Sequence, residues 1–266
     1  MSEARVLADG AARAEAAPGA LKRVVRDGES DLVAIEEPLE IRVDGEPIAV
    51  TMRTPGHDEE LALGFLYGEG LIEHAPPVGL TDDLAANTIE VRGPLTRAPR
   101  ARRFYTTSSC GVCGKGALEE VAVHSPPLRP GPRVARDLLA GLPDRLVQPG
   151  FARTGGLHAT GLFDLDGQLL CVREDVGRHN AMDKVVGWAL RCGERLPLSD
   201  SLLCVSGRLS FELVQKAAVA GCPVLVGVGA PTSLAVELAG DRQMTLCGFA
   251  RRGKVNVYTG AERVLA

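Results

Sequence analysis

The stretch "SLLCVSGRLSFELVQKAAVAGCPVLVGVGAPTSLAVELAG", residues 201–240, decides the fold class. "SLLCVSG" (201–207) reads as a short buried strand, and "SFELVQKAAVAG" (210–221) as the helix that follows it. "PVLVGVG" (223–229) repeats the strand and "TSLAVELAG" (232–240) repeats the helix. Such alternation calls for a parallel or mixed sheet covered by helices, because parallel neighbours need crossover connections. Right-handed crossovers gather the strand-to-helix turns at the carboxyl edge of the sheet, where open α/β sheets take their ligands.

Those turns hold "SGRLS" (206–210) and "GAPTS" (229–233), and "GFARRGK" (248–254) leaves the next strand. The first two bring hydroxyls and backbone N–H groups to a helix start, a natural anion seat, and Arg208 adds a fixed positive charge. Ser210, Thr232 and Ser233 also suit helix capping, which does not exclude a ligand. Upstream, "GLHATGLFDLDGQLLCVRED" reads as a hairpin turning near Asp166–Gly167. "NAMDKVVGWALRC" places Met182, Val185, Val186, Ala189 and Leu190 on one helical face. "MTLCGFA" and "KVNVYTG" are the closing strands.

The first half has another rhythm. "LEIRVDGEPIAVTMR" alternates apolar residues about Asp44–Gly45, a β-hairpin signal. "HDEELALGFLYGEG" is a short helix, acidic at its start and stopped by Gly68 and Gly70. "NTIEVRG" and "RRFYTT" read as strands, and "ALEEVAVH" and "VARDLLAGLPDRLVQ" as helices. Residues 1–20 are Ala-rich, broken by Gly and Pro, and read as a disordered tail. The expected division is residues 21–150 as a smaller α+β part and 151–266 as an α/β part, with the boundary at "PG" (149–150).

Composition narrows the function. A net charge of -4 argues against a nucleic-acid partner, whose binding surface would be strongly basic. Neither a signal peptide nor a bilayer-spanning apolar run is visible, so no membrane is expected and the reading is cytoplasmic. Seven cysteines, mostly scattered, do not form a secreted disulfide framework. Cys171, Cys192, Cys204, Cys222 and Cys247 sit in apolar surroundings and read as small buried hydrophobes. "TTSSCGVCGKG" (106–116) is different, since it sets Cys110 and Cys113 three positions apart among glycines.

Three chemistries use such a pair. A closed zinc site needs four ligands, but there is no second Cys-x-x-Cys and the five histidines are scattered. "HDE" (57–59) echoes the His-x-Glu of zinc deaminases, although Ser109 replaces the proline that precedes their cysteine pair. A dithiol oxidoreductase also places Cys-x-x-Cys after a strand, yet the usual aromatic or proline neighbours are missing here. Sulfur transfer needs an accessible low-pKa thiolate on a loop that visits two sites. Gly111, Gly114 and Gly116 give the loop freedom, and Lys115 favours the thiolate. The residues alone leave all three readings open.

Five ordered motifs resemble the formate dehydrogenase accessory sulfurtransferases, the FdhD/NarQ family. They are "CGVCGKG" (110–116), "EDVGRHNAMDKVVG" (174–187), "SGRLSFELVQKAAVAGCPVL" (206–225), "APTSLAVELA" (230–239) and "GFARRGKVNVYT" (248–259). The resemblance implies an α/β fold, with a cytidine-deaminase-like sheet between helices in the C-terminal part. It implies a sulfur carrier that accepts persulfide sulfur from a cysteine desulfurase. The carrier then sulfurates Mo-bis(molybdopterin guanine dinucleotide), the bound acceptor substrate, for formate dehydrogenase. No structural metal is expected. The family's persulfide cysteine falls on Cys110, with Cys113 as helper or alternative carrier, and its cofactor contacts fall on Phe249, Ala250, Arg251, Arg252, Gly253 and Lys254. Arg208 adds to that basic set. Asp175, Arg178, His179 and Asp183 either contact the ligand or form a buried hydrogen-bonded knot. The rival reading is a non-catalytic chaperone for the molybdenum cofactor. A homodimer is compatible with the apolar content.

Overall fold

The structure is a computed structural model that describes residues 16–82, 84–98, 125, 127–128, 131–192 and 196–266. "RRFYTT", the Cys110–Cys113 loop and the helix expected over 117–124 lie outside these residues.

The alternation that opened the reading builds β10 (Leu202–Val205), α5 (Phe211–Val219), β11 (Val224–Gly227), α6 (Ser233–Asp241), β12 (Thr245–Arg251) and β13 (Lys254–Thr259). Before them come β8 (His158–Phe163), β9 (Leu169–Asp175) and α4 (Arg178–Arg191). The sheet order is β13-β12-β11-β10-β8-β9, with β10, β11 and β12 parallel and the other pairings antiparallel. The expected sheet between helices is present. On one face, Leu162, Leu203, Leu225 and Leu246 pack against Met182, Val185, Leu213 and Leu238 of α4, α5 and α6. On the other, Phe163, Cys204, Val226 and Cys247 pack against Leu139, Leu142 and Leu146.

Those last three leucines belong to "VARDLLAGLPDRLVQ", expected as one helix. It forms β7 (Val134–Ala135), α2 (Arg136–Gly141) and a 3₁₀ turn at Leu142–Arg145. Pro143 lacks the N–H that would continue the α-helix, so the chain tightens there. β7 pairs with β14 (Val264–Leu265), which ties this segment to the end of the chain. The expected boundary at 149–150 opens α3 (Pro149–Thr154), with Pro149 in the first turn, where no N–H is needed.

The N-terminal residues begin with a hairpin that the sequence reading omitted, β1 (Leu21–Arg26) and β2 (Glu29–Ala34), turning at Asp27–Gly28. Ala20, placed within the tail by that reading, is buried. A second sheet has the order β4-β3-β6-β5, from β3 (Glu37–Val43), β4 (Glu46–Arg53), β5 (Val78–Leu80) and β6 (Thr88–Val91). Its Leu39, Ile41, Ile89 and Val91 pack on Leu61, Leu63 and Leu66 of α1 (Asp58–Gly68). The other side of α1 meets α4 so closely that a Cβ on Gly64 would lie 1.8 Å from the Asp183 carbonyl oxygen. A Cβ on Gly187 would lie equally close, 1.8 Å, to that of Glu60. The helix is therefore enclosed between the two layers. Among the described residues, no helix is long and apolar enough to cross a membrane.

Buried ions reinforce the join. Asp175 and Lys184, 0% and 1% exposed, pair at 2.7 Å, and Lys184 also donates to the Thr54 carbonyl at 2.9 Å. Thr54 N–H, Gly177 N–H and Asn180 Nδ2 donate to the same Asp175 carboxylate. Lys184→Met should lower stability by about 3–5 kcal/mol, because it strands a buried carboxylate without its counter-charge. Urea unfolding checks this, and a loss below about 1 kcal/mol would contradict the ionised pair.

Candidate functional site

The carboxyl edge of the six-stranded sheet collects most of the described residues singled out for function. The β10–α5 turn carries Ser206, Gly207 and Arg208, and Ser206 Oγ accepts from the Ala159 N–H at the start of β8. Gly229 N–H donates to the Gly207 carbonyl, and Phe249 N–H donates to the Gly229 carbonyl. Three consecutive strand ends are thereby stitched into one row.

Residues 249–254 form the far end of that row. A bulge separates Gly248 from Arg251 in the β12–β13 pairing, and Phe249 sits there with φ 53°, 36% exposed. A left-handed backbone is unusual for a bulky residue and marks an over-determined position. Arg251 pairs with Lys254 across a two-residue turn, where Arg252 (φ 51°) and Gly253 (φ 70°) supply the double positive φ of a type I′ hairpin. Arg251, Arg252, Gly253 and Lys254 are exposed, whereas Ala250 is buried in the opposite core and offers the edge only its backbone. Among the described residues, no ion pair involves Arg208, Arg251, Arg252 or Lys254.

The four undecided residues of "EDVGRHNAMDK" divide. Asp175 and Asp183 form the knot, Asp175 with Lys184 and Asp183 with Lys216 at 2.8 Å. Burial opposes the charge on Lys216, but Asp183 and Glu212 outweigh it and hold its pKa above the ordinary lysine value. Arg178 and His179 begin α4 at the carboxyl edge. His179 Nε2 lies 3.1 Å from Ser210 Oγ and 3.4 Å from Glu212, so Ser210 is drawn to the imidazole and makes no cap bond to α5. Thr232, by contrast, caps α6 as its residue type predicts, accepting from Ala235 N–H.

Burial pushes His179 down to about 4 against the partial opposition of Glu212, and Arg178 and Lys216 act in the same direction as burial. The unfolded chain, with an ordinary imidazole near 6.5, therefore binds the proton that the folded chain refuses. The stability this group contributes is present above that value and is lost as pH falls toward 4. His179→Gln should flatten the acid limb of the stability profile by up to about 3 kcal/mol. Urea midpoints from pH 7 to pH 4 measure it, and an unaltered slope would contradict a neutral His179.

Sequence reasoning missed His158, which opens β8 beside Gly207. Burial, then Arg178 and Arg208, lowers its pKa. Its only signal is a polar residue at the start of an apolar strand. The remaining cysteines are mostly core. Burial pushes Cys222 and Cys247 up to about 12 and raises Cys204 as well. Cys192 departs from the expectation of burial, since it is exposed at the end of α4. His57, at the start of α1, takes φ 60° and makes no side-chain capping bond. Among the described residues, no three His, Cys, Asp or Glu side chains converge to hold a metal.

A model of the FdhD/NarQ family matches residues 34–265. "Sulfur carrier protein FdhD" of Mycobacterium tuberculosis is 50% identical over 255 residues, covering 88% of this chain and 92% of that protein. The protein of the same name in Streptomyces coelicolor is 51% identical over 266 residues, covering 90% and 93%. A crystal structure from Desulfotalea psychrophila, provisionally described as a formate dehydrogenase accessory protein, superimposes with a TM-score of 0.73 at 27% identity. It covers 92% of this chain and 98% of that one.

Proposed function

The chain belongs to the FdhD/NarQ family, and from that premise we propose that it is a sulfur carrier serving the maturation of formate dehydrogenase. The observation that carries the reading is an identity near one half with sulfur carrier proteins, at 50% and 51%, over nearly the whole chain.

The Cys110 thiolate attacks the outer sulfur of a cysteine desulfurase persulfide. The donor S–S bond breaks, the donor leaves as a thiolate, and the sulfur stays on Cys110 as a new persulfide. Lys115 and the surrounding glycines favour this nucleophile for the reasons given above, and Cys113 is its helper or an alternative carrier. The acceptor is Mo-bis(molybdopterin guanine dinucleotide), bound as substrate at the carboxyl edge. Its phosphates suit the cations Arg208, Arg251, Arg252 and Lys254, which have no carboxylate partner among the described residues. Phe249 offers an exposed ring, and Ala250 and Gly253 offer backbone. We read the sheet as the cytidine-deaminase type, supported by an antiparallel β8–β9 pair beside three parallel strands.

Incubation with cysteine and a desulfurase, followed by mass spectrometry, tests the carrier role. The expected result is one added sulfur on Cys110 that a thiol reductant removes. A protein that gains no mass and still supports formate dehydrogenase would be the non-catalytic chaperone instead.

A further inference from the structure

Arg178 has a buried Nε without a hydrogen-bond partner, and among the described residues it forms no ion pair. A guanidinium Nε–H buried in this way is unfavourable unless an acceptor meets it, and an anion is the acceptor best matched to its charge. The nearby carboxylates are engaged elsewhere. Asp175 is taken by Lys184, and Glu212 by His179 and Lys216.

Arg208 and two imidazoles gather with Arg178, and Asp175 and Glu212 are the carboxylates among them. His158 at the start of β8 faces Arg178 of α4 and Arg208 of the β10–α5 turn, with Asp175 of β9 as the opposing charge. His179 faces Arg178 on its own helix, His158 on β8, and Glu212 and Lys216 on α5. Gly207 keeps the space between strands narrow, since a Cβ there would sit 3.3 Å from His158 Nδ1. Two guanidinium groups and two imidazoles thus act on one another at one end of the row. Burial and the neighbouring cations lower the pKa of both imidazoles. A bound dianion reverses the sign of the local field and makes the imidazolium form favourable.

We propose that Arg178 and Arg208 hold one phosphate-type dianion of the acceptor between them, and that His158 and His179 take up protons from solvent as it docks. The inference rests on the acceptor site proposed above and extends it beyond the 249–254 turn. No bond to phosphorus is made or broken. By linkage, affinity for the anion rises as pH falls through the unperturbed histidine range.

Calorimetric titration of the full chain with inorganic pyrophosphate, in buffers of different ionisation enthalpy at pH 6.5, tests this. Arg178→Gln should weaken binding by about tenfold or more, as loss of a charge-assisted contact does, and Arg178→Lys should recover part of it. The double variant His158→Gln/His179→Gln should take up fewer protons per pyrophosphate than wild type, the protonation of pyrophosphate itself being common to both. Equal proton uptake, undiminished binding by Arg178→Gln, or no binding by wild type would each overturn the proposal. The sulfur label on Cys110 is read separately. Labelling without Arg178-dependent binding removes this inference alone, and binding without labelling removes the carrier reading alone.

Discussion

Gly187→Ala should abolish the folded protein. The added methyl would lie 1.8 Å from the Glu60 carbonyl oxygen and 2.6 Å from its carbon, distances at which no side chain can rotate aside because the obstacle is backbone. Relief requires α1 and α4 to separate, and separation opens the core on both sides of α1. Leu61, Leu63 and Leu66 would lose packing against the second sheet, and the Lys184 contact with Thr54 would stretch. The expected loss exceeds the 1–3 kcal/mol usual for overpacking and is comparable to the whole stability of a domain. Circular dichroism and urea unfolding measure it. A variant with wild-type midpoint would mean that the helices do not cross through this glycine. Gly64→Ala should behave alike, since its methyl meets the Asp183 carbonyl in the same way.

Cys110→Ala should reduce sulfur transfer to background. Alanine has no thiolate to accept the sulfur, and the core cysteines, with thiols raised by burial, cannot replace it. Sulfur labelling and activation of a formate dehydrogenase should both vanish, while pyrophosphate binding at the carboxyl edge persists. Full activation by this variant would overturn the assignment. Cys113→Ala separates helper from alternative carrier, because a helper's loss slows labelling and leaves its end point unchanged.

The alternation after residue 200 is legible because each buried strand and its covering helix carry their signals locally. Leu203 and Leu225 each lie in a short apolar run, and Leu213 and Leu238 lie on helices that begin just after them. The hydroxyl turns and the basic hairpin follow from the same topology, which puts Arg208 and Arg251 at one edge. Asp27–Gly28 carried a turn signal for the first hairpin that the reading omitted. Other features had no local signature. Glycines 64 and 187 look like weak spots in two helices until each is set against the other's backbone. Leu139 and Leu142 declare an apolar face but not which sheet it covers. Nothing in "GLHATG" marks His158 as a neighbour of Arg178, because that relation exists only once β8 pairs with β9 and sets His158 opposite Asp175.

The tight crossing of α1 and α4 also constrains how the protein is made. On a translating ribosome, the first of these helices emerges well before its counterpart, with a delay on the order of ten seconds at ordinary elongation rates. Throughout that interval one flank of the nascent helix has nothing to rest on, so the early sheet can assemble without reaching its final form. Newly made chains are therefore most exposed to aggregation and to proteases before residue 187 leaves the exit tunnel.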